Sequence, residues 1–217
     1  MASELQIGYL TLGYAMTNSY FIQGKDANGD DTDECVFIDP ADMGSLLYDK
    51  VCERGLKVAA ILLTHGHFDH ILGVDEFRKL TGAKVYAWEG EKRLLADAQM
   101  NVSADIGRPC TVQVDEFLTD GQELHFAGLD IRVIATPGHT EGSCCFYLPK
   151  YGKLFSGDTL FQDSVGRTDL PTGSMSTMMQ SIREKIMPLP NDTEIYPGHG
   201  DLTNLAYEKQ WNPYLHA

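Results

Sequence analysis

Apolar residues recur along this chain in two periods. Val58 to Leu63 is an unbroken apolar run ending at Thr64, the pattern of a strand buried on both faces. Just before it, Met43, Leu46, Leu47 and Val51 mark one face of a helix closed by Gly55. Met175, Met178, Met179, Ile182 and Ile186 form a second stripe at steps of three and four, with Ser174 as its N-cap and Pro188 as its stop. The methionines of that stripe read as core filling. Shorter strands are expected at Leu5–Leu12, Ser19–Gln23, Cys35–Ile38, Val85–Trp88, Ile131–Ala135, Cys144–Leu148, Lys153–Phe155 and Glu194–Tyr196. A last short helix, Thr203 to Trp211, is broken by Asn212-Pro213. So many strands with few helices between them do not suit a simple doubly wound sheet. They predict an α/β fold of two packed mixed β-sheets flanked by helices. No Pro-, Gly- or Ser-rich linker divides the chain, so one domain over 1–217 is expected.

Composition narrows the classes of partner. With 43% hydrophobic and 22% charged residues the chain has ordinary globular usage. A net charge of −14 repels phosphate backbones and anionic lipid, so neither nucleic acid nor a membrane is expected as partner. Five cysteines, odd in number and without a C-x-x-C, include the neighbours Cys144 and Cys145, which points to a reducing compartment. Met1 to Leu10 lacks a basic segment followed by an apolar stretch, and no apolar run is long enough to span a bilayer. A soluble, cytoplasmic protein, compatible with a monomer, is the expectation. Asp26 to Asp31 begins like a calcium loop, but the required glycine is replaced by Asp31 and the final glutamate by Phe37. It reads instead as a solvated hairpin tip turning at Asn28-Gly29.

The chemistry lies in the histidines. Five of the seven sit at three similar places, each just after a strand: Thr64-His65-Gly66-His67-Phe68-Asp69-His70, Thr136-Pro137-Gly138-His139 and Tyr196-Pro197-Gly198-His199. In each, a glycine is expected to free the backbone to turn, leaving an imidazole at the sheet edge. A fourth strand end supplies Gly157-Asp158. Three imidazoles and a carboxylate within six positions strain to face one metal but can serve two. His65, His67 and His139 would give three nitrogen ligands to the first ion, and Asp69, His70 and His199 would hold the second. Asp158 would bridge both. Nitrogen and oxygen ligands without thiolate suit zinc, with iron or manganese as alternatives. Such a pair lowers the pKa of a bound water towards neutrality and presents hydroxide to an electrophile. A lone histidine at a strand end is ordinarily just a satisfied polar residue; five in matching turns are poorly explained that way. His125 and His216 lie outside these turns and read as surface or packing residues.

These residues resemble the metallo-β-lactamase superfamily, whose His-x-His-x-Asp-His signature is present as His65 to His70. His139, Asp158 and His199 follow in the family's order, so the resemblance covers essentially the whole chain. It implies the αβ/βα sandwich with metals at one edge of the sheets. The β-lactamases themselves commonly have Arg where this chain has His70 and Cys where it has Asp158, which disfavours antibiotic hydrolysis. The tRNA-processing branch shares the ligands but not the acidic charge, and the flavodiiron branch places Glu where His67 stands. The sequence is most similar to type II glyoxalase, hydroxyacylglutathione hydrolase, and to its short bacterial relatives. Gly157-Asp158-Thr159-Leu160-Phe161, Gly166-Arg167-Thr168-Asp169 and the ending Tyr207-Glu208 to Asn212-Pro213-Tyr214-Leu215 carry that likeness. A separate helical extension of the kind that supplies glutathione-binding surface in longer glyoxalases is not expected here.

The resemblance implies hydrolysis of a small-molecule thioester of the S-lactoylglutathione type, with Asp69 orienting the hydroxide and taking its proton. Arg167 is the candidate for steering an anionic substrate; pairing with Asp169 or Asp163 is its equal alternative. Asp39 would orient a ligand or serve its own turn. Two other readings stay open. One is a mononuclear iron oxidoreductase like the persulfide dioxygenases, using residues that match His65, His139 and Asp158. The other is a lactonase or another ester hydrolase.

Overall fold

The computed structural model describes residues 5–216. The first six strands build one sheet in chain order: β1 (Gln6–Leu12), β2 (Thr17–Gln23), β3 (Glu34–Ile38), β4 (Lys57–Leu63), β5 (Lys84–Trp88) and β6 (Glu116–Leu118). β1 to β3 pair antiparallel and β3 to β6 parallel. The second sheet begins with the meander β7 (Glu123–Phe126), β8 (Leu129–Ala135), β9 (Cys144–Leu148) and β10 (Lys153–Gly157). A small hairpin, β11 (Leu160–Phe161) with β12 (Ser164–Val165), follows. Then β13 (Glu194–Pro197) joins β10 in parallel and β14 (Thr203–Asn204) closes the edge. Both sheets are therefore mixed.

Alternation along the strands decides the layers. Inward residues such as Tyr20, Val36, Leu62, Ile131, Phe146 and Phe155 form the core between the sheets. The opposite face of the first sheet, with Phe37, Ile61 and Val85, packs on α1 (Gly44–Cys52) and α3 (Val74–Thr81) through Leu47, Val51 and Phe77. The outer face of the second sheet, with Cys145, Leu154 and Ile195, packs on α5 (Met175–Ser181), its wider continuation over Ile182–Ile186, and α6 (Leu205–Trp211). This is the αβ/βα sandwich. The short helices α2 (Phe68–Ile71) and α4 (Lys92–Leu95) lie in the connections.

Ser174 caps α5 as expected, its hydroxyl accepting the Thr177 N–H. The methionine stripe is only half right: Met178, Ile182 and Ile186 are fully buried, but Met175 is exposed, because it lies on the first turn beyond the reach of the sheet. Thr203 and Asn204 do not belong to the last helix. They pair with β13, and Asn204 caps α6 by accepting the Tyr207 N–H. β2 starts at Thr17 instead of Ser19, and β6, β7, β11, β12 and α3 have no counterpart among the expected elements. The acidic tip is a turn: Asp26 Oδ1 accepts the N–H groups of Asn28 and Asp30, and Gly29 takes φ 88°. Among the described residues, no helix is long and apolar enough to cross a membrane.

Candidate metal centre

β3 and β4 are parallel, and β8, β10 and β13 also run one way, so their C-terminal ends gather along one edge of the sandwich. The seven expected residues all lie there. His65 follows β4, and His67 to His70 turn into α2. His139 follows β8, Asp158 follows β10 and His199 follows β13. The two sheets are tied across this edge by Asn18 N–H to the Gly198 carbonyl and Cys144 N–H to the Thr64 carbonyl, both 2.8 Å. Two glycines of the motifs are there for space, not for turning. Neither Gly66 nor Gly198 has a left-handed φ, but a Cβ at Gly66 would strike Leu95, and one at Gly198 would strike Asp158 and His70.

The donor atoms meet in two overlapping clusters. His139 Nε2 lies 2.8 Å from His67 Nδ1 and 3.2 Å from His65 Nε2. His199 Nε2 lies 3.3 Å from His70 Nε2 and 3.2 Å from Asp69 Oδ2. Asp158 stands between them: Oδ1 is 3.3 Å from His70 Nε2, while Oδ2 is 3.5 Å from His139 Nε2 and 3.4 Å from His199 Nε2. These separations can be tested against an ion. Four donors arranged tetrahedrally at bond lengths of about 2.0–2.1 Å are about 3.3 Å apart, which is the spacing here. Buried Asp158 Oδ1 makes no hydrogen bond despite its neighbour, the condition of a group that wants a cation. Three sets, His65/His67/His139, His65/His70/Asp158 and Asp69/His70/His199, each bring their ligand atoms within 4.8 Å of one another. The site can hold two divalent metals such as Zn, Fe or Mn.

Protonation follows position. Burial, then the nearby His139, holds His67 down at about 3, and burial likewise keeps His65 well below the usual imidazole value. Both rings are neutral, with lone pairs free for a metal. Burial resists charge on Asp69 and Asp158 too, but His70 and His199 outweigh it, holding Asp69 down at about 2 and Asp158 well below the carboxylate range. Against the same burial, the Asp158 and Asp69 carboxylates lift His199 to about 10 and His70 well above its ordinary value. In the metal-free chain those two imidazoles carry protons that ions would displace.

Each ring is aimed by what holds its other side. Asp39 accepts the Thr64 N–H at 2.8 Å, the Thr64 hydroxyl at 2.6 Å and His70 Nδ1–H at 2.9 Å. It sits at φ 50°, a left-handed conformation that swings its carboxylate under the end of β4. The orienting role thus prevails over a simple turn role. His139 Nδ1 donates to the Arg167 carbonyl at 2.7 Å and His199 Nδ1 to the Ala15 carbonyl at 3.1 Å. Arg167 lines the groove above the site, and its guanidinium is held by Asp169 through two 2.7 Å bonds, not by Asp163. Thr17, whose hydroxyl donates to Asp69 Oδ2 at 3.1 Å, carried no sequence signal, since the strand was expected to start at Ser19. Neither did the Arg167 carbonyl, because backbone groups leave no mark in composition. His125 pairs with Asp130 on the surface and His216 is exposed.

Fold and site together define a metal-dependent hydrolase acting on a small molecule. Residues 12–199 match the model of the metallo-beta-lactamase superfamily. The chain is 37% identical over 210 residues to a probable metallo-hydrolase of Bacillus subtilis, covering 96% of each. It is 32% identical over 194 residues to a hydroxyacylglutathione hydrolase of Haemophilus influenzae, covering 87% of this chain and 90% of that one. Among solved structures, BLEG-1 B3 metallo-beta-lactamase is similar with TM-score 0.89 and 38% identity, over 98% of this chain and 100% of that one. TTHA1623 in a di-iron-bound form is similar with TM-score 0.83 and 32% identity, over 96% and 100%. The chain belongs to the metallo-beta-lactamase superfamily.

Proposed function

We propose that this protein hydrolyses small thioesters of the S-lactoylglutathione type, as a single-domain enzyme of the reducing cytoplasm. His65, His67 and His139 would hold one ion, Asp69, His70 and His199 would hold the other, and Asp158 would serve both. The observation that carries this reading is the complete second cluster, assembled to the same spacing as the first, with Asp158 between the two. Zinc is the first candidate. The likeness to a hydroxyacylglutathione hydrolase supports the thioester class. Five free cysteines, with Cys144 and Cys145 adjacent and both buried, support the compartment.

When bound, the ions supply a water deprotonated near neutral pH and an electrophilic pull on the substrate carbonyl. The chain's own groups do the rest. A groove of about 360 Å³ runs over the ligands between Phe68, Phe161 and Leu170, apolar walls that shed water from a substrate. Asp69 lies in its floor, ionised and steadied by the Thr17 hydroxyl, placed to accept a hydrogen bond from the attacking water and so orient it. A thiolate leaving group needs no proton donor of its own, because thiols ionise near pH 8.5. Arg167 is the arginine among the described residues that line the groove, and we assign its side chain to an anionic end of the substrate; freeing it means parting from Asp169.

The test is a substrate panel run with and without oxygen. Thiol release from S-lactoylglutathione at equal rates in both supports the reading. Turnover of a persulfide with oxygen uptake, and none of the thioester, selects the iron oxidoreductase instead. The similarity to a B3 metallo-beta-lactamase brings a β-lactam into the same panel as the second reading, although His70 and Asp158 disfavour it.

A further inference from the structure

Glu91 is a carboxylate that the proposed reaction does not use. It ends a single turn, Glu89–Glu91, just after β5, and is 1% exposed. Its Oε1 accepts the Gly66 N–H at 2.7 Å and its Oε2 accepts the Thr140 hydroxyl at 3.0 Å. Gly66 stands between His65 and His67, and Thr140 follows His139. One buried acid therefore joins the two loops, one from each sheet, that carry the three-imidazole cluster. The approach is close: a Cβ at Gly142 would take up the space of the carboxylate itself. A carboxylate withdrawn from water costs several kcal/mol unless donors replace the water, so such a group is an expensive way to fill space. The Asp69/His70/His199 cluster has separate supports in Asp39, Thr17 and the Ala15 carbonyl.

We propose that Glu91 is a positioning residue for the His65/His67/His139 cluster, locking the His65-Gly66-His67 loop to the His139-Thr140 loop so that three imidazoles meet at the spacing of one ion. The inference rests on the two-ion reading above. It is selective: Glu91 sets affinity at this cluster more than at its neighbour.

The test is calorimetric titration of chelator-stripped protein with Zn²⁺, in which His67→Ala and His199→Ala show which binding step belongs to which cluster. Glu91→Gln should weaken the step that His67→Ala removes by about 10- to 100-fold, the usual cost of losing a partner that orients metal ligands. The step that His199→Ala removes should weaken by a clearly smaller factor, since Asp158 couples the two clusters but Glu91 bonds to loops of the first alone. Thr140→Val, which deletes one donor and leaves the acid, should weaken the same step by a smaller factor and decides the question if Glu91→Gln fails to fold by circular dichroism. Unchanged affinity at the first step, or equal weakening of both, overturns the proposal. A wild-type chain that binds only one ion sinks the two-ion reading, while the response of its remaining step to Glu91→Gln still supports or overturns the role of Glu91.

Discussion

The two halves of the metal centre are built on different principles. The His65/His67/His139 half is dry: its three rings are at most 2% exposed, and burial keeps His65 and His67 neutral. The Asp69/His70/His199 half is charged and opens to the groove, with side-chain exposures of 13% for Asp69 and 26% for His199. The first resembles a structural site, with ligands pre-formed and ready for a cation. The second resembles a working site, where carboxylates, protons and solvent meet. In a two-ion hydrolase the two can divide the work, one a firm seat and the other able to exchange water and substrate.

Removing what the halves share should give the largest effect. Asp158→Ala should release both ions and cut turnover by about 10³-fold or more, because metal activation of water is worth several kcal/mol. Metal content by elemental analysis and turnover should fall together. A variant with both ions and full rate would show that the halves are not joined through Asp158.

The next contrast concerns charge in the dry half. Burial holds Glu91 up to about 7, above the ordinary carboxylate value of 4.5. Between those values the folded metal-free chain keeps a proton that the unfolded chain has lost. Its contribution to stability is therefore complete below about pH 4.5 and is lost as pH rises through about 7, some 3 kcal/mol in all at 1.36 kcal/mol per unit. Urea unfolding of stripped protein across this range should show the slope, and Glu91→Gln should flatten it. Equal slopes in the two proteins would place Glu91 in a wetter setting than its burial implies.

Asp39→Asn separates the halves from the other side. It replaces the acceptor of His70 Nδ1–H and should weaken the second ion by about 10- to 100-fold and the first by less, since Asp39 reaches His65 only through Thr64. Loss of the first ion instead would invert the comparison. The smallest effect is expected at Arg167. Its pair with Asp169 is exposed on both sides, so Arg167→Ala should leave stability within about 1 kcal/mol. It should raise KM a few-fold at unchanged kcat, as for a lost binding contact. No change in KM with any anionic thioester would remove Arg167 from the substrate site.

What could be read in the sequence, and what could not, follows from how local each signal is. Val58–Leu63 and His65 to His70 are short, dense patterns, so the strand and the ligand loop were both visible. His139, Asp158 and His199 were visible because each stands directly after a strand end. β7 was missed because Glu123 to Phe126 alternates over only four residues, and its partner β8 supplies the rest of the burial. α3 was missed because only Val74 and Phe77 of its residues are buried, too few for a stripe. Glu91 carried no signal at all: an acid beside a short turn looks like surface, and only the folded chain brings Gly66, Thr140 and Gly142 around it. Gly138 turns with φ 147° as expected, but the other two glycines of the histidine motifs gave the right site for the wrong reason. At Gly66 and Gly198 the need is room for a neighbour, a long-range property.

The central claim is that two ions, seated in unlike halves, act together on water. Stripped protein titrated with Zn²⁺ under anaerobic conditions, with ions per chain counted by native mass spectrometry and thioester hydrolysis followed in the same samples, tests it most directly. The account predicts that hydrolysis without oxygen climbs as the second ion binds and levels off at two per chain. Full activity at one ion per chain, or turnover that appears only when oxygen is admitted, would contradict it.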